Sequence, residues 1–123
     1  VSFRVLVTGS RGWTDRPTLC AALNKVEAEA GEPIAVVHGA CPTGADRMAD
    51  EWAGLLGRRT ERHPAQWDLY GRAAGFIRNA DMVATRPDIC LAFILDSSPG
   101  ATDCADKAER VGIPTVRIEA TSR

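Results

Sequence analysis

Apolar and polar positions along the chain switch between two periods. Short runs rich in β-branched residues, Phe3–Thr8 (FRVLVT), Ile34–His38 (IAVVH), Asp88–Leu95 (DICLAFIL) and Pro114–Ile118 (PTVRI), predict strands. Asp88–Leu95 is apolar almost throughout, the signature of a strand covered on both faces. Arg58–Arg62 is a polar run that predicts a further strand at a sheet edge. Between these runs the spacing lengthens to three and four residues. Leu19, Leu23, Val26 and Ala30 share one helical face, with Thr14 or Asp15 as the cap, Pro17 in the first turn, and Gly31 and Pro33 at the end. Ala45–Leu56 repeats the pattern through Met48, Ala49, Trp52, Ala53, Leu55 and Leu56, and ends at Gly57. A third helix is predicted from Leu69 to Ala84 across Gly71 and Gly75, and a fourth over Ala101–Val111. The tail Glu119–Arg123 is expected to be loosely held.

Strands and helices alternating in this way predict an α/β fold. The expected architecture is a Rossmann-like three-layer sandwich around a mostly parallel five-stranded sheet in the order 3-2-1-4-5, forming one domain over residues 1–123. In such a sheet the ligand site lies outside the carboxyl ends of the strands, near the point where the strand order reverses. Three of the predicted strand ends lead into unusual loops. Gly9-Ser10-Arg11-Gly12-Trp13 combines glycines that let backbone approach a ligand with a hydroxyl and a forked cation suited to phosphate. Gly39-Ala40-Cys41-Pro42-Thr43-Gly44 opens a helix, so its amides face the crevice, and Asp46 stands in the first helical turn. Ser97-Ser98-Pro99-Gly100-Ala101-Thr102 again joins small hydroxyl residues to a helix start, where anions bind.

Each loop also has a plainer reading. The first is a tight turn, Asp46 favours the helix dipole, and Ser98 with Pro99 makes an ordinary capped start. Arg78-Asn79 reads either as a solvated helix face or as a phosphate grip beside a group that reads sugar or base. Trp13 and Trp67 are either core residues or platforms for a base.

The net charge of −1 supplies no general basic field, so DNA association is the weakest functional class. Cys20, Cys41, Cys90 and Cys104 form no C-x-x-C pair, and His38 and His63 are not at metal-ligand spacing from them. Free buried thiols in a reducing cytoplasm, with no metal and no separate cofactor, are expected. No apolar stretch has the length of a membrane span, and Val1–Gly9 runs straight into a strand pattern rather than a signal peptide.

Taken together, VTGSRGWTD (Val7–Asp15), HGACPTGADRMADEWA (His38–Ala53), HPAQW (His63–Trp67), AAGFIRNADMVA (Ala73–Ala84) and the AFILDSSPGATD region (Ala92–Asp103) resemble the SLOG superfamily, in its YspA, cpYpsA-related branch. Wider relatives are the Lonely Guy phosphoribohydrolases and the DNA-processing protein A family. The resemblance implies a Rossmann-like fold, a homodimer, and binding or sensing of a nucleotide or nucleotide-derived phosphate ligand. The contacts would come from Gly9, Ser10, Arg11, Trp13, Gly39, Ala40, Thr43, Gly44, Trp67, Arg78, Asn79, Ser98, Gly100, Ala101 and Thr102. The alternative is hydrolysis of an N-glycosidic bond, with Arg78, Asp46 and Asp103 as catalytic candidates. Lonely Guy enzymes carry PGGxGTxxE, whereas here Ser98–Thr102 lacks the double glycine and Ala105 stands at the glutamate position, flanked by Asp103 and Asp106.

Overall fold

A computed structural model describes residues 2–122. Five strands, β1 (Phe3–Gly9), β2 (Ile34–His38), β3 (Thr60–Arg62), β4 (Ile89–Leu95) and β5 (Thr115–Ala120), form one sheet in the order β3-β2-β1-β4-β5. Every pairing is parallel. The switch point lies between β1 and β4, where Gly9 stands opposite Phe93.

Alternation along the strands feeds two cores. Val5, Val7, Ile34, Val36, Leu91 and Phe93 face α1 (Arg16–Ala30) and α2 (Gly44–Leu56), meeting Leu19, Leu23, Ala49 and Trp52. On the other face Leu6, Val37 and Cys90 meet Met82 and Val83 of α4 (Ala74–Ala84) and Cys104 and Ala108 of α5 (Pro99–Arg110). Ala92 and Ile94 pack on Ala101 and Ala105. Both faces are covered, so β4 is apolar along its whole length and β1 and β2 are apolar through their middles.

Helix starts follow the sequence. Asp15 caps α1 by accepting the Thr18 backbone N–H at 3.1 Å, and Gly31 ends that helix in the left-handed region. The predicted helix from Leu69 to Ala84 is not continuous. α3 (Trp67–Tyr70) stops at Gly71, whose φ of 57° and ψ of −132° no helix tolerates, and a short 3-10 turn over Gly71–Ala73 leads into α4. Trp67, before the break, and Arg72, within it, both stand at the carboxyl edge of the sheet. The expected loose tail is also corrected. β5 continues to Ala120, and Ser122 donates its backbone N–H and its hydroxyl to the Asp96 carboxylate at 2.8 and 2.6 Å. That grip holds Asp96 and Ser97, both at positive φ, at the start of the β4–α5 turn. Val1 and Arg123 lie outside the described residues. No helix among those residues is long and apolar enough to cross a membrane.

Candidate functional site

A cavity of about 520 Å³ opens at the carboxyl edge of the sheet over the switch point. That volume suits a small organic ligand. Its floor is the end of β1, Thr8 and Gly9, continuing into Ser10, Arg11 and Gly12. One wall is Leu95 with Ser98, Pro99 and Gly100 at the start of α5, and another is Cys41 and Asp46. The third wall comes from α3, the 3-10 turn and α4: Trp67, Arg72, Gly75, Phe76, Arg78, Asn79 and Met82.

Close backbone approach makes the floor. A Cβ on Gly9 would stand 2.3 Å from the Ala45 Cβ and 2.9 Å from the Phe93 carbonyl, so only glycine lets β1, β4 and α2 converge there. Gly44, at a φ of 73°, packs in the same way on the Ser10 carbonyl. Ser10 locks the junction. Its hydroxyl accepts the Leu95 N–H at 2.8 Å, and its backbone N–H donates to Phe93 at 3.0 Å. The Ser10 side chain is therefore committed to holding β1 beside β4 rather than offered to a phosphate.

Arg78 is the centre of the third wall. Its Nη1 donates to the Gly39 carbonyl and, at 3.4 Å, to the His63 carbonyl, while Nε donates to Asn79 Oδ1 at 3.0 Å. Carbonyl and amide partners fix the guanidinium without neutralising it. Gly39 makes room for this, because a Cβ there would meet Nη1 at 2.2 Å. Arg11 and Arg72 line the same cavity, and none of the three arginines is ion-paired among the described residues. Arg4, Arg16, Arg58, Arg62 and Arg117 each hold a carboxylate. Arg11 lies over the Trp67 ring, 5.5 Å from its centroid, and so spans from the first loop to α3.

The β2–α2 loop is held from beneath by His38. Its Nδ1 accepts the Ala40 N–H at 2.9 Å, which leaves the proton on Nε2 to donate to Asp50 at 2.9 Å. Arg62 reaches the same Asp50 oxygen. The contact fixes Ala40 at a φ of 58°, a left-handed conformation for a residue with a Cβ. Asp46 is 6% exposed and accepts the Cys41 N–H at 3.2 Å. Burial drives its carboxyl above the ordinary carboxylate range, against the pull of His38 and Arg78.

Of the residues singled out in the sequence, Gly9, Ser10, Arg11, Asp46, Trp67, Arg78, Asn79, Ser98 and Gly100 line this cavity. The others stand behind it. Trp13 is 3% exposed, packs against Phe93 and donates its ring N–H to the Asp15 carbonyl, so it belongs to the core and offers no surface to a base. Gly39, Ala40, Thr43 and Gly44 shape the loop from outside the lining. Ala101 is buried against Ala92 and Ile94, and Thr102 extends α5 by bonding back to Ser98. Asp103 is bound by both Lys107 and Asn79 and does not line the cavity; Asp106 is held by Arg117. The Asn79 amide is spent too, since Nδ2 donates to the Gly100 carbonyl at 3.1 Å and ties α4 to the start of α5. Arg72 and Phe76 were missed. Their spacing with Asn79 and Met82 is that of one helical face, which was the available signal.

A family model described as YspA, cpYpsA-related SLOG family matches residues 3–70. The chain belongs to this SLOG family. The matched stretch contains the Gly9–Gly12 floor, the His38-held loop and Trp67, while the wall from Arg72 to Pro99 lies beyond it. The chain is also similar to the Gene 61 protein of Mycobacterium phage D29, 41% identical over 120 residues that cover 94% of this chain and 95% of the relative. No solved structure matches this SLOG chain. All four cysteines are free; burial pushes the Cys104 thiol up to about 11 and Cys90 higher still, so neither is a nucleophile near neutrality.

Proposed function

We propose that the chain binds a nucleotide or nucleotide-derived phosphate ligand in the cavity at the carboxyl edge of its sheet. The observation that carries this reading is the pairing of charge with flat apolar surface. Three guanidinium groups without ion-pair partners among the described residues, on Arg11, Arg72 and Arg78, share one cavity with two half-exposed aromatic rings, Trp67 and Phe76. Guanidinium forks suit phosphate oxygens, and the rings suit a base. The hydroxyl of Ser98, which makes no cap bond, and the first-turn amides of α5 add donors on the opposite wall. Membership of the SLOG family supports the same class of ligand. Calorimetric titration with nucleoside mono-, di- and triphosphates, nucleotide sugars and ribose phosphates tests it. Saturable heat with at least one nucleotide, lost in Arg78→Met, is the expected result. No heat and no thermal shift with any of them overturns the reading.

A second reading, hydrolysis of an N-glycosidic bond, is favoured by one observation: Asp46 is the carboxylate that lines the cavity, with its acidity already weakened by burial. Water would add across the bond, its hydroxyl going to the sugar carbon and a proton to the departing base. Base release from nucleoside monophosphates, abolished in Asp46→Asn, is its test. Asp103, held by Lys107 and Asn79, has no part in it.

A further inference from the structure

Asp46 is an anomaly in a cavity walled by cations. It is 6% exposed and lines the cavity, yet no ion pair neutralises it among the described residues. Its one hydrogen bond of full geometry comes from the Cys41 N–H, at 3.2 Å, with weaker support from the Gly39 N–H. Buried carboxylates are ordinarily paired. Arg78 is close enough to attract it but spends Nη1 on the carbonyls of Gly39 and His63. The carboxylate therefore faces the cavity with acceptor capacity unused.

Such a group sorts the parts of a ligand. A phosphate placed against it would meet like charge in a poorly solvated site, so phosphate belongs with the arginines. The flat base belongs with Trp67 and Phe76. Stacking occupies the face of the base and leaves its edge donors, which differ from base to base; the ribose hydroxyls are the adjacent donor pair that every ribonucleotide carries. We infer that Asp46 determines sugar specificity, its carboxylate accepting hydrogen bonds from the vicinal diol of a ribose and so selecting ribonucleotides over their deoxy counterparts. This rests on the nucleotide-binding reading above and names what that site discriminates. An acidic side chain reading ribose hydroxyls from beyond a second strand is a familiar solution in parallel sheets. Here the carboxylate comes instead from the first turn of α2, eight residues after the end of β2, and is held by backbone amides.

The test is calorimetric titration of the wild-type chain, Asp46→Asn and Asp46→Ser with AMP, GMP, CMP and UMP, their 2′,3′-dideoxy counterparts, adenosine and IMP. The wild type is expected to prefer ribo- over dideoxyribonucleotide by about tenfold or more, as fits hydrogen bonds to a charged group. Both variants should lose that preference while keeping the AMP-to-adenosine ratio that reports phosphate binding. Asp46→Ser serves if Asp46→Asn does not fold, thermal unfolding of each free protein being the control. Equal wild-type affinity for ribo and dideoxy ligands overturns the inference and leaves nucleotide binding standing. So does a preference that survives in the variants, or one that moves to AMP over IMP and so reports the base amino group. A variant that keeps the sugar preference but loses base release assigns Asp46 to catalysis instead. No binding of any nucleotide removes both readings together.

Discussion

Arg4 and Arg78 are two half-buried arginines that use the same chemistry to opposite ends. Arg4, near the start of β1, engages all three guanidinium nitrogens inside the protein. Nε and Nη2 clamp Glu61 of β3 at 2.8 and 2.7 Å, and Nη1 and Nη2 reach the Thr85 carbonyl and hydroxyl, both at 2.8 Å. The Arg4 pairing holds the Glu61 carboxyl below the ordinary glutamate range. Arg78, at the opposite edge of the sheet, is fixed by two carbonyls and an amide and keeps its charge for the cavity. A cation closed on a carboxylate is structure; one held only by neutral acceptors is poised for an anion from outside.

The largest break in this comparison is Arg78→Met. Affinity for any nucleotide bound by the wild type should fall about a hundredfold, on the order of 2–3 kcal/mol for lost charged hydrogen bonds, by calorimetry. Arg4→Met should leave that affinity unchanged and lower unfolding stability by about 2 kcal/mol, measured in urea, because Glu61 is left without its partner. Gly39→Ala separates position from charge. Its Cβ would stand 2.2 Å from Arg78 Nη1, the movable end of a flexible side chain, so stability should change by less than about 1 kcal/mol while affinity drops about tenfold.

The smallest effect is on pH dependence, and here the two edges carry opposite signs. Glu61, with its folded value depressed, contributes stability that is complete above its ordinary 4.5 and lost as pH falls through the folded value. Asp46, with its folded value raised, stabilises fully below its ordinary 3.8 and loses that contribution as pH rises through the folded value. Glu61→Gln should therefore flatten the acid limb of a stability-against-pH curve. Asp46→Asn should raise stability relative to wild type towards neutral pH, and that gain should vanish in acid.

The sheet order and its switch point were legible in the sequence because apolar runs and caps repeat without conflict, and the loops at three strand ends indicated the edge that carries the cavity. The use of individual side chains around that edge was less legible. Ser10 and Asn79 look like ligand groups in sequence but spend their hydrogen bonds on Leu95, Gly100 and Asp103. Trp13 has both a core and a platform reading in the sequence; packing on Phe93, which the chain order does not show, makes it core. Arg72 shares the helical spacing of Phe76, Asn79 and Met82, but the helix expected through Gly71 is broken there at a positive φ, a break the spacing does not mark. Which polar groups are spent and which are free is decided by contacts between distant segments, and local pattern does not record it.

Arginine side-chain NMR would separate the two edges in one experiment. With the Nε–H resonances of Arg4, Arg11 and Arg78 assigned by substitution, saturating the chain with a ribonucleoside monophosphate should shift the signals of Arg78 and Arg11 and leave that of Arg4 in place. Saturable binding that moves Arg4 and leaves Arg78 and Arg11 still would contradict the account, for the charge held open at the carboxyl edge would then have no part in holding the ligand.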